Sequence, residues 1–97
     1  MQFVMVANLK PGAKQSGGCT DFQQLLKDEK AHTRSAYMEG AIRQVWLQSP
    51  GPGAIAILEA ESPEQAQKIA MQLPLAQAGL LDVSVIGLMP FDGFGAP

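Results

Sequence analysis

Glu29 is the side chain in this sequence best placed to do chemistry. It lies within residues 20–39, where Phe22, Leu25, Leu26, Thr33 and Ala36 recur at helical spacing. At about 100° per residue, Glu29 falls inside that apolar stripe, while Lys27 and Asp28 project outward and Lys30 and His32 border it. An apolar setting disfavours the charged carboxylate and raises its pKa, which suits a proton-transfer base at neutral pH. Burying the charge also demands compensation, and the nearby cations are Lys30 and, from the following segment, Arg43. Three readings stay open: a catalytic carboxylate, a structural Glu29–Arg43 ion pair, or a helix rotated enough for Glu29 to snorkel out to solvent.

Other side chains add less. Arg43 and Trp46 are three apart in an extended segment, so simple alternation points them to opposite sheet faces. Arg43 in mid-sheet suggests an anion, from the protein or from a ligand; Trp46 reads as core or interface packing. His32, three residues after Glu29, is within reach of it or partly exposed on the helix. Cys19 and His32 are the only residues of their kinds, which leaves no disulfide framework, zinc knuckle or His-rich metal site within one chain. No cofactor or metal is expected. The glycines have neither dinucleotide-binding nor P-loop spacing.

The elements that must position these residues are short. Residues 2–9 form an apolar strand closed by Pro11-Gly12, and residues 10–18 a loop. Thr20 and Gln23 offer a capping box for the first helix, which Gly40 ends. Residues 41–48 and 54–59 pair as a hairpin across Pro50-Gly51-Pro52-Gly53. Ser62-Pro63-Glu64-Gln65 caps a second helix that Pro74 terminates, and residues 81–88 are the last strand. The order is strand, helix, strand, strand, helix, strand: a ferredoxin-like α+β domain with a four-stranded antiparallel sheet and both helices on one face.

A chain of 97 residues holds one domain, here with a core over 1–90 and a Gly/Pro-rich tail over 91–97. Its composition is 46% hydrophobic and 16% charged, too apolar for a disordered segment. Seven Lys and Arg against nine Asp and Glu, with no basic run, argue against nucleic acid as a partner. The apolar start is too short for a membrane span and lacks a signal-peptide pattern, so a cytoplasmic location is expected. Strands apolar on both parities, such as Val83 and Val85 against Ile86 and Leu88, predict that the uncovered sheet face pairs with a second copy. A homodimer or higher homo-oligomer is expected.

Asp28-Glu29-Lys30, then nine residues, then Gly40-x-x-Arg43-x-x-Trp46 resembles the central signature of bacterial muconolactone isomerases. Ser62 at the second helix and Met71-Gln72-Leu73-Pro74-Leu75 near its end follow at similar spacing, and Asp82-Val83-Ser84-Val85 with Gly87, Leu88 and Pro90 is compatible with that family's last strand. The resemblance covers about residues 20–90. It implies a dimeric α/β barrel and a cofactor-free isomerase of aromatic-compound catabolism, acting by a 1,3 proton shift on a small lactone or related carboxylate. Glu29 would then transfer the proton, with Lys30 as the second catalytic residue. Lys30 or Arg43 would hold the oxyanion or the substrate carboxylate, and Trp46, His32 and Thr33 would contact substrate. The chain departs from the family in Ala76-Gln77-Ala78-Gly79-Leu80-Leu81, where an aromatic-rich stretch would stand, and in a first strand without His or Lys. A cofactor-independent monooxygenase and a non-catalytic ligand-binding subunit are the alternatives.

Overall fold

The computed structural model describes residues 1–13 and 19–95, with residues 19–21 as backbone alone. The elements run β1 (Gln2–Leu9), α1 (Cys19–Glu39), β2 (Ile42–Leu47), β3 (Gly53–Glu59), α2 (Pro63–Met71), α3 (Pro74–Gln77) and β4 (Leu81–Gly87). The four strands form one antiparallel sheet in the order β2-β3-β1-β4. This is the expected ferredoxin-like α+β arrangement. The proposed Thr20–Gln23 cap and the Cys19 side chain lie outside the described residues.

Alternation along each strand sorts the sheet into two faces. On one, Phe3, Met5 and Ala7 pair with Leu58, Ala56 and Ala54, and Met5 and Ala7 also pair with Val85 and Val83. This face buries against Ala36 of α1 and Ala66 and Ala70 of α2. A smaller cluster joins Phe22 of α1 to Ala13, Leu75 and Leu80. On the opposite face Val4, Val6, Ile55, Ile57 and Ile86 stand side by side, and no described element packs over them. No helix among the described residues is long and apolar enough to cross a membrane.

The helix ends follow local chemistry. Gly40, at φ 89°, ends α1 in a Schellman arrangement: its N–H donates to Tyr37 O at 3.2 Å and that of Ala41 to Ala36 O at 2.9 Å. Ser62 Oγ accepts from the Gln65 amide at 3.1 Å. Gln65 Oε1 accepts from Glu61 N–H at 2.6 Å, one residue earlier than the expected box. The chain leaving β3 brings that amide within reach instead.

Pro74 ends α2 as expected, acting through the residues before it. The helix stops at Met71, because a residue preceding proline is pushed out of the helical region and Leu73 is extended at φ −60°, ψ 134°. Pro74 also takes the first position of a short helix not foreseen from the sequence, α3, where its missing N–H costs nothing. After β4 the tail is exposed, with Phe91 and Phe94 packed edge to face at 4.7 Å.

Gly53 closes the β2–β3 hairpin: its carbonyl accepts from Gln48 N–H at 2.9 Å. A Cβ there would lie 2.5 Å from the Ala7 carbonyl oxygen, a backbone atom that cannot swing away. Gly53→Ala should therefore destabilise the fold more than Ser62→Ala, whose lost cap costs about 1 kcal/mol. Urea unfolding of both variants checks the order; an equal loss would contradict this close approach.

Candidate functional site: an apolar cavity under the first helix

A cavity of about 520 Å³ lies between α1 and the sheet. Its floor follows from side-chain size along the strands. At one end of the sheet Phe3 faces Leu58, and both are fully buried. Two and four residues further along, Met5 faces Ala56 and Ala7 faces Ala54. These small side chains leave space that α1 spans without filling. Leu73 and Leu75, from the chain entering α3, line one part of the wall, and the edge strand β2 adds Val45, Trp46 and Leu47. Those three β2 residues are exposed, so the cavity opens to solvent along this edge.

The lining is apolar except on α1, which contributes Glu29, Lys30, Thr33, Arg34 and Tyr37 beside Leu26. Glu29 is half-buried, and its Oε1 accepts a hydrogen bond from the Leu75 amide at 3.0 Å. Leu75 is the second residue of α3, and no side chain of α3's own N-cap bonds there. Amides in a first helical turn have no partner within their helix, and Glu29 supplies one across 46 residues of sequence. Burial pushes the Glu29 carboxyl above its ordinary value of 4.5. The Leu75 amide and the nearby charge of His32 pull in the other direction without cancelling that rise.

Of the residues expected at the site, Glu29, Lys30, Thr33 and Trp46 line the cavity. His32 does not line it and acts on Glu29 only through its charge. Arg43 is also outside the lining, and no Glu29–Arg43 ion pair forms among the described residues. Arg43 directly follows Ile42, which is buried on the helix-facing side of the sheet, so it is turned away from Glu29. Ile42 pairs with Leu58 and Gln44 with the adjacent Ile57, so Arg43 is an extra residue that interrupts the alternation used to place it and Trp46 on opposite faces. Arg43 instead acts on Glu59, whose carboxyl is held below its ordinary value first by its hydrogen bond from the Met1 ammonium and further by the Arg43 charge.

Arg34 and Tyr37 line the cavity although the sequence reading passed over them. Their signal is spacing: Lys30, Arg34 and Tyr37 follow one another by four and three residues, a polar stripe along the border of the apolar one. Its polar members conceal it from a search for apolar periodicity. Among the described residues, no group of three or more His, Cys, Asp or Glu side chains comes together that could hold a metal ion.

The raised Glu29 pKa carries a stability signature. The folded state holds this proton more tightly than the unfolded chain, so stability falls as pH rises through the window from 4.5 to the raised value. Below the window the penalty is absent, and above it the penalty is complete. Glu29→Gln has no such titration and still offers an acceptor to Leu75. The urea midpoint of Glu29→Gln should gain on wild type as pH rises through that window, then hold a constant offset. A difference independent of pH would show that Glu29 titrates normally.

The fold has solved counterparts. Muconolactone isomerase aligns with a TM-score of 0.73 at 22% identity, covering 100% of this chain and 98% of that one. A 5-chloro-2-hydroxyhydroquinone dehydrochlorinase from Burkholderia phenoliruptrix AC1100, solved with 2,5-dihydroxybenzoquinone, aligns with a TM-score of 0.63 at 20% identity, covering 92% and 94% of the two chains. No family model and no curated protein matches the sequence. The likeness spans essentially the whole of both chains, and the protein has the fold of muconolactone isomerase.

Proposed function

We propose that the protein is a muconolactone isomerase-like enzyme that moves a carbon–carbon double bond in a small lactone or related carboxylate by a 1,3 proton shift. The observation that carries this reading is the Glu29 carboxylate: half-buried in an apolar cavity, raised in pKa and oriented by the Leu75 amide. The fold shared with muconolactone isomerase supports it.

In the proposed reaction the ionised Glu29 takes a proton from a ring carbon next to the carbonyl-conjugated system. The C–H bond breaks, an O–H bond forms on Glu29, and the electron pair delocalises onto the carbonyl oxygen as a dienolate. Glu29 then returns the proton to the other end of the conjugated system, so no atom is gained or lost. Lys30, on the same wall, would stabilise the oxyanion. A raised pKa makes Glu29 a stronger base once ionised and a competent acid when it returns the proton.

Glu29→Gln should lower kcat on muconolactone by about 10²–10⁴-fold, measured spectrophotometrically beside the wild type. Wild-type kcat/KM should rise with pH through an apparent pKa above 4.5, the ordinary value of this carboxyl. A folded wild type without turnover, or a Glu29→Gln variant with full activity, would overturn this assignment. Oxygen uptake with an electron-rich aromatic substrate would favour a monooxygenase instead.

We also assign the uncovered sheet face to a homodimer. Val4, Ile57 and Ile86 lie in one row across three strands, and Ile86 is 56% exposed in the single chain. A charge there is tolerated in a monomer and not in a face-to-face pair. Ile86→Lys should shift the protein from dimer to monomer in light scattering while it stays folded; an unchanged mass would refute this interface.

A further inference from the structure

We infer that Arg34 forms an anchor at the cavity for the carboxylate of a small ring-bearing acid and selects the ligand by charge. Lys30, Arg34 and Tyr37 are spaced i, i+4 and i+7 along one edge of α1, and all three line the cavity while remaining exposed to solvent. The rest of the lining is almost wholly apolar, and an apolar wall holds a ring without orienting it.

Both cations are uncommitted within the described residues. Neither has an ion-pair partner, and neither side chain has a hydrogen bond there. They do not serve Glu29 either, whose pKa is set by burial, the Leu75 amide and His32. Arg34 brings a planar fork of donors that matches a carboxylate with two parallel hydrogen bonds. It stands five residues beyond Glu29, about 7.5 Å along the helix axis. A ligand whose carboxylate sits on Arg34 would place its ring against the apolar lining of the cavity that Glu29 also lines. This rests on the isomerase reading and deepens it by naming the residue that recognises the substrate's carboxylate.

Binding tests the anchor apart from turnover. Phenylacetate and its uncharged isostere phenylacetamide would be titrated by calorimetry into the wild type, Arg34→Gln, Arg34→Lys and Lys27→Gln. The wild type should bind the acid at least about tenfold more tightly than the amide. Arg34→Gln should remove most of that preference and leave the amide unchanged, while Arg34→Lys should keep part of it. Lys27→Gln, an exposed charge of α1 outside the cavity lining, should alter neither ligand.

Equal affinity for acid and amide, no binding of either, or an equal loss in Lys27→Gln and Arg34→Gln would overturn the anchor. The wild-type acid-to-amide ratio and Arg34→Lys keep it testable should Arg34→Gln fail to fold. A carboxylate preference in a protein without lactone turnover would support the anchor and sink the isomerase assignment alone. Turnover without any charge preference would do the reverse.

Discussion

The hydrogen bond from the Leu75 amide to Glu29 joins two requirements that neither partner meets alone. The first turn of α3 presents an amide with no acceptor in its own helix, and Glu29 presents a carboxylate on the inward side of α1. Each would be costly to bury unpaired. Together they tie α1 to α3 and fix a titratable oxygen at the boundary between the larger core and the smaller cluster around Phe22, Leu75 and Leu80. The pairing leaves a net rise in the carboxyl pKa, so burial outweighs the compensation. A fully satisfied carboxylate would be a structural strut and a poor base. A partly compensated one can both take and return a proton.

The cavity depends on a gradient of side-chain volume across the sheet. Phe3 and Leu58 fill the space under the helices at one end, while Ala7, Ala54 and Ala56 leave it open at the other. Close packing is the rule in protein interiors, and an open apolar volume of this size forfeits dispersion contacts that larger side chains would have made. The loss is confined to the part of the core that α1 borders with Glu29 and its polar stripe. Stability and site are thereby separated along the same strands, with packing at one end and ligand space at the other.

Much of the scaffold was legible from local chemistry. Gly40 and Ser62 act through short-range geometry, and the alternation in β1, β3 and β4 survives because each strand buries one face. Reading failed where an element answers to its neighbours. Proline at position 74 forbids helix at Leu73, yet whether a new helix follows depends on a capping partner contributed by α1. The bulge at Arg43 has no marker in its own segment, and it breaks the simple alternation from Arg43 to Trp46. Arg34 and Tyr37 escaped notice because a polar stripe beside an apolar one has the same composition as a solvated helix face.

The amino-acid order thus specified the element types, the turns and the inward placement of Glu29, all of which rest on contacts within a few residues of one another. The tertiary structure decided what surrounds that carboxylate. The Leu75 amide is 46 residues away in sequence, the alanine floor comes from two paired strands, and the charge of Arg43 acts on Glu59 rather than on Glu29. Burial and electrostatic partners are properties of assembled surfaces. The chain contains the base, but packing alone sets its strength and what it can reach.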